Sequence, residues 1–260
     1  MDESNLLATT VTPLTVFIIP VFNDRPSCVV VLRELATLKT PHDRYICLID
    51  DGSISDPPTL SDLNDCGLSG VILRLPHNMG HQAAIACGLG YVAANLPVAS
   101  VVIMDGDGED RPETVPILLS HLDPIKLCAI VAERRRRTEG LTFRTAYKVY
   151  RALFRALTGH TVDFGNFMVL SRDSVHRLAS MHQTWLHLPA ALIASRIPRK
   201  SIPIDRGERY SGPSRMNYLS LSLRGARALM VFADVIIVRL IFVGSVLNYL
   251  DCIVIVESTS

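Results

Sequence analysis

The stretch Val101-Val102-Ile103-Met104-Asp105-Gly106-Asp107-Gly108-Glu109-Asp110-Arg111-Pro112-Glu113 runs from four apolar residues straight into acids and glycines. An apolar run closed by a turn signal predicts a buried strand that presents the acids at its carboxyl end, the edge where open α/β sheets bind ligands. On an extended backbone Asp105, Asp107 and Glu109 point to one side, so three carboxylates are expected to converge. Such oxygens suit a hard divalent cation, Mg²⁺ or Mn²⁺. The plain alternative is a solvated acidic turn. An EF-hand loop does not fit, because its sixth position needs Gly where Asp110 stands. The chain also contains no G-x-x-x-x-G-K-[S/T] loop, which removes the nucleotide-hydrolase reading of the same acids.

The pattern repeats on either side. Upstream, the apolar run Val16 to Val21 closes in Phe22-Asn23-Asp24, Arg44 to Asp50 closes in Asp51-Gly52-Ser53, and Gly70 to Leu75 leads to His77-Asn78-Met79-Gly80-His81. Helices are expected over Ser27 to Leu38 and Gln82 to Ala94. Downstream come a helix over Glu113 to Leu122, a strand at Leu127 to Ala132, a basic helical segment, and Asp163-Phe164-Gly165-Asn166-Phe167 before the short run Met168 to Leu170. Helices over Arg172 to Met181 and Leu186 to Ser195 follow, and Ile202-Pro203-Ile204 reads as a last edge strand. Strands alternating with helices at this spacing argue for an α/β fold, a mostly parallel central sheet with helices on both faces. The carboxyl ends of its strands would together build one site.

Hydrophobic residues make up 48% and charged residues 20% of the 260, which suits neither a disordered chain nor one wholly embedded in a membrane. A formal charge of +1 gives no general attraction to nucleic acid, so none is expected as a partner. The basic residues are nevertheless clustered, with Arg134 to Arg137 followed by Arg144, Lys148, Arg151 and Arg155. A phosphate-bearing ligand and a solvated helix face account equally for that cluster. The six cysteines are widely separated and form no C-x-x-C pair, so reduced thiols are the simplest account. Met1-Asp2-Glu3-Ser4-Asn5 is acidic where a secretion signal would be basic. His77 and His81 stand four apart, but Asn-Met-Gly between them argues for a loop and no third zinc ligand is nearby.

Between Arg239 and Asp251 only about eleven residues lack formal charge, too few at about 1.5 Å each to cross a bilayer core of about 30 Å. Just upstream, Ser220, Arg224, Arg227, Asp234 and Arg239 share one side of a helical wheel. One amphipathic helix is therefore expected there, lying in a membrane interface or docked on the protein's own core. The expected division is an extension over 1–15, one domain over 16–218 and a membrane-associated segment over 219–260.

Four ordered stretches carry a resemblance: Val16 to Asp24, Ile49 to Ser53, Met104 to Glu113 and Arg206 to Met216. Together they resemble family-two glycosyltransferases of the GT-A type, in the branch of dolichol-phosphate mannose synthase and bacterial polyprenyl-phosphate glycosyltransferases. The resemblance implies a nucleotide-diphospho-sugar transferase working at the cytoplasmic face of a membrane. Residue by residue, Pro20, Phe22, Asp24, Asp50 and Asp51 would hold the nucleoside, and Asp105 and Asp107 would match the D-x-D that holds metal and diphosphate. The family usually continues Leu-Gln where this chain has Gly108-Glu109, so Glu109 retains an oxygen for the metal or for catalysis. Asp163 to Phe167 matches a usual Asp-x-Gly-Asp-Phe, with Asn166 in place of a carboxylate. Asp163 would act beside the acceptor, although a cap or turn is what its local sequence favours.

Arg209, Ser214 and Arg215 match an Arg-x-x-Gly-x-Ser-Lys loop, with Arg209 pairing the diphosphate and Arg replacing Lys. Arg134 and Arg144 would receive the acceptor's phosphate. The implied reaction moves a sugar from a nucleotide sugar to a polyprenyl phosphate, with inversion and with metal. Transfer to a saccharide or other hydroxyl stands as the alternative, and a catalytically silent nucleotide-sugar-binding module as a third reading.

Overall fold

The structure, a computed structural model, describes residues 12–123, 125–134, 141–210 and 218–257, with backbone alone at 134, 141–147, 218–221 and 246–257. The first of two compact units takes in residues 1–137 and 164–215. Its elements are β1 (Leu14–Val21), α1 (Arg25–Thr37), β2 (Asp43–Asp50), α2 (Leu60–Asn64), β3 (Ser69–Arg74), α3 (His81–Asn95) and β4 (Val98–Ile103). After a 3-10 turn at Pro112–Thr114 come α4 (Val115–Ser120), β5 (Ala129–Arg134), β6 (Met168–Ser171), α6 (Arg172–Ala179), α7 (Gln183–Leu186), α8 (Leu188–Ala194) and β7 (Arg199–Ile204). The sheet runs β3-β2-β1-β4-β6-β5-β7, and β6 alone of these strands is antiparallel to its neighbours.

Alternation along β1 explains why its sequence is apolar without a break from Val16 onwards. Val16 and Ile18 enter a core with Ala84, Ile85 and Leu89 of α3, whereas Phe17, Ile19 and Val21 enter a second core with Val31, Leu32 and Leu35 of α1. A strand covered on both faces has no polar side to show. At the edge, β7 carries exposed Arg199 and Lys200 and a proline at 203, devices that discourage further pairing.

One reversal matters for the site. Because β6 is antiparallel to β4, Met168 pairs with Ile103, and the segment that leads into β6 arrives where β4 ends. Asn166 is thereby delivered to the edge that carries the acidic loop.

The second unit takes in residues 138–163 and 216–260, so 138–163 groups with the C-terminal segment although it lies within the expected 16–218 domain. It contains α5 (Leu141–Thr158), α9 (Tyr218–Met230) and α10 (Ala233–Glu257). The single amphipathic helix expected from Ser220 to Arg239 is instead a pair: Ser222–Met230 and Ala233–Ser245 meet at 80°. Val231 and Phe232 at the break are buried, Phe232 lying edge-on to Phe154 at 6.0 Å between ring centres. Burying two apolar side chains at the bend offsets the helical hydrogen bonds lost there. Arg239, expected on an outward polar stripe, donates from Nη1 to the Ala156 carbonyl at 2.9 Å and so satisfies an open carbonyl at the end of α5. Among the described residues no single helix is long and apolar enough to cross a membrane, and the bent pair passes only when taken together.

Candidate active site

The acidic loop begins as the strand ends. Met104 N–H still donates to Ile18 O of β1 at 3.2 Å, after which Asp105 N–H turns to Asp110 Oδ2 at 2.9 Å. Glu109 N–H closes back on Asp107 Oδ1 at 3.0 Å, and between them Gly108 has φ +89°. The backbone is therefore not extended beyond Ile103, and the alternation that would have aimed three carboxylates one way does not apply. Asp105 and Asp107 remain neighbours, but Glu109 is ion-paired with Arg206. Among the described residues no three His, Cys, Asp or Glu side chains group as a metal cage, so the expected Asp105, Asp107 and Glu109 triad is corrected to a carboxylate pair.

A segment that follows β7 lies along this loop. Gly207 N–H donates to Glu109 O at 2.9 Å and Tyr210 N–H to Asp107 O at 3.0 Å, two backbone bonds that hold the segment in register. Arg209 Nη2 reaches Asp107 Oδ2 at 3.0 Å and stands 4.0 Å from Asp24 Oδ2. The Tyr210 ring covers Gly108, where an added Cβ would come within 2.5 Å of it, and its hydroxyl donates to Glu34 Oε1 at 2.6 Å. Burial together with the Glu34 hydrogen bond pushes the Tyr210 hydroxyl up to about 12. Burial, then the charge of Asp105, raises the Asp107 carboxyl above its ordinary range, and Arg209 and Arg206 oppose the shift.

Two carboxylates suit Mg²⁺ or Mn²⁺, because such ions take one or two protein carboxylates and complete their shell with substrate phosphates and water. The fit rests on Asp105 Oδ1, a buried oxygen without a hydrogen-bond partner. Its nearest basic neighbour, His81 Nε2 at 3.2 Å, meets the distance of an ion pair without forming a hydrogen bond.

The remaining expected residues divide. Pro20 lies within β1 opposite Ile49 of β2, with Phe22 and Asp24 just past the strand end. Asp50 is fully buried and accepts from Ser53 N–H at 2.9 Å and Arg74 Nε at 3.0 Å. Asp51 accepts from the N–H groups of Met79 and Gly80, at 2.7 and 3.0 Å, and burial raises its carboxyl despite them. Both acids thus hold the protein's own loops at the carboxyl end of β2. Asp163 belongs to the second unit, where its Oδ1 is 2.9 Å from Arg151 Nη2. The side chains of Arg134 and Arg144, and the whole of Ser214 and Arg215, lie outside the described residues.

Residues 16–179, more than half of the chain, match glycosyl transferase family 2. The chain belongs to that family. A dodecaprenyl-phosphate galacturonate synthase from Rhizobium johnstonii is 26% identical over 71% of this chain and 55% of its own length. An uncharacterised glycosyltransferase from Synechocystis is 23% identical over 78% of this chain and 64% of its own. The chain therefore spans about half to two thirds of the length of these curated relatives. Among solved structures, glucosyl-3-phosphoglycerate synthase from Mycobacterium tuberculosis, with Mn²⁺, UDP and its product, aligns with a TM-score of 0.61 at 16% identity over 86% of this chain and 80% of that one. That likeness carries the fold, which is the GT-A nucleotide-diphospho-sugar transferase fold.

Within this family 2 chain, reading the sequence missed Arg206, Tyr210 and Glu34, which lie far from the acidic loop in sequence. It also passed over His81 as a metal ligand with His77, whereas the structure turns His81 towards Asp105 and Asn166. Arg206 stood inside the quoted Arg206 to Met216 stretch, and its sign opposite to Glu109 was the available signal.

Proposed function

We propose that the protein is a glycosyltransferase that moves a sugar from a nucleotide diphosphate to a polyprenyl phosphate at the cytoplasmic face of a membrane. The observation that carries this reading is the half-buried Asp105 and Asp107 pair at the end of β4, one oxygen unpartnered, with Arg209 3.0 Å from the other acid. Support for the donor comes from the Mn²⁺ and UDP held by the mycobacterial enzyme of the same fold, and for the acceptor from the dodecaprenyl-phosphate relative. Asp105 and Asp107 would hold Mg²⁺ or Mn²⁺, whose charge stabilises the leaving diphosphate. Arg209, placed by the 205–210 segment, supplies paired N–H donors to the same diphosphate. An acceptor phosphate oxygen attacks the anomeric carbon as the bond to the diphosphate breaks, and the electron pair leaves on the nucleotide. A single displacement inverts that carbon. Because the attacking phosphate is already ionised, the step needs little help from a general base. The resemblance would give Asp163 a role towards the acceptor.

Membrane docking enters through α10, where Ile237, Val238, Leu240, Ile241, Phe242 and Val243 are each more than half exposed. An exposed apolar stretch interrupted by Arg239 alone marks an interaction surface, and a lipid acceptor calls for a lipid surface. The test incubates the protein with Mn²⁺, a panel of nucleotide sugars and polyprenyl phosphate, with mass spectrometry of the lipid extract. A glycolipid is expected; transfer to added saccharide alone would favour the hydroxyl-acceptor reading.

A further inference from the structure

Behind Asp105 lies a chain of hydrogen bonds whose directions can be read from one end to the other. It starts at Leu188, the first residue of α8, whose backbone N–H can only donate and meets Gln82 Oε1 at 2.7 Å. That fixes the Gln82 amide, so its Nε2 donates to Asn166 Oδ1 at 3.1 Å. Asn166 is fixed in turn, and its Nδ2 stands 2.9 Å from His81 Nε2. An amide N–H needs a lone pair to receive it, so this contact is a hydrogen bond in the tautomer whose ring proton sits on Nδ1. Gln82 is only 4% exposed, and turning its amide over would set N–H against N–H in a dry place. Asp105 Oδ1 stands 3.2 Å from the same Nε2 but forms no hydrogen bond with it, so with Nε2 turned to Asn166 the two atoms face each other as acceptors.

We infer that Gln82, Asn166 and His81 form a positioning relay, which keeps His81 from donating to Asp105 and so leaves Oδ1 open to the cation and diphosphate. The inference rests on reading Asp105 as a cation holder, and it assigns the relay to substrate binding rather than to the chemical step. It also gives Asn166, where the resemblance places a carboxylate, a physical role: a carboxylate there would accept from both Gln82 and His81 and would call for a proton on Nε2.

The test labels the full chain with ¹⁵N-histidine, assigns His81 by the resonances lost in His81→Asn, and measures Mn²⁺ affinity by electron paramagnetic resonance with no sugar donor present. In the wild type, Nδ1 should carry the proton and Nε2 none. Asn166→Asp should move the proton to Nε2 and weaken Mn²⁺ binding about threefold or more, although added negative charge alone would strengthen it. Asn166→Ala, which removes the N–H without adding charge, should weaken binding by a smaller factor. A proton on Nε2 in the wild type, or Mn²⁺ affinity unchanged or raised in Asn166→Asp, would overturn the relay. If Asn166→Asp does not fold, the wild-type proton position and the Asn166→Ala affinity still decide. A wild type that binds no Mn²⁺ would instead overturn the reading of Asp105 as a cation holder, which the proton position distinguishes.

Discussion

At φ +89°, Gly108 turns the chain between Asp107 and Glu109 and leaves room for the ring of Tyr210. Gly108→Ala meets two obstacles, a left-handed backbone that costs about 1–3 kcal/mol and a Cβ placed 2.5 Å from Tyr210 Cδ2. Nucleotide affinity in the presence of Mn²⁺ should fall about tenfold in calorimetry. Combining it with Tyr210→Ala should recover the steric part and leave the backbone part, so full recovery would mean the turn itself is unimportant. What the residues disclosed in advance follows the same line. Asp105 and Asp107 were legible because an apolar run ending in acids is a local signal. The fate of Glu109 was not, since it depends on a positive φ and on Arg206, nearly a hundred positions away. His81, Gln82 and Asn166 were illegible as a group because their contacts join positions 84 to 106 apart, which a local pattern does not encode.

Among the elements, the central strands β1, β4 and β6 were read closely because apolar runs buried on both faces leave no ambiguity of period. The bend after Met230 was missed because a helical wheel assumes an unbroken helix. A smaller element carries a prediction of its own. α2 is capped by Thr59, whose N–H donates to Asp62 Oδ2 at 2.7 Å, and Arg25 of α1 grips the same carboxylate through Nε and Nη2. The Arg25 guanidinium holds the Asp62 carboxyl below its ordinary range. A folded-state value below the unfolded one contributes stability that is present above about pH 4 and is lost as pH falls through the lowered folded value. Asp62→Asn should therefore lower Tm by on the order of 5 °C at pH 7. The gap should narrow on acidification, and a gap independent of pH would show that the pairing with Arg25 contributes nothing through charge.

For the whole molecule, the proposed function assigns one task to each of the two units, nucleotide binding to the first and membrane contact to the second. If α10 docks on lipid, the double substitution Ile241→Ser with Phe242→Ser should reduce sedimentation with anionic vesicles severalfold while leaving nucleotide binding in place. Equal sedimentation would remove this helix from the membrane reading. The account as a whole depends on the acid pair at the end of β4 holding a cation that carries the donor's diphosphate. Calorimetric titration of nucleoside diphosphates into the protein, with and without Mn²⁺ and alongside Asp107→Asn, tests this most directly. The account predicts binding that requires Mn²⁺ and is weakened at least about tenfold in Asp107→Asn, a loss of roughly 1.4 kcal/mol or more. Equal affinity in excess chelator, or an Asp107→Asn protein that binds like the wild type, would contradict it.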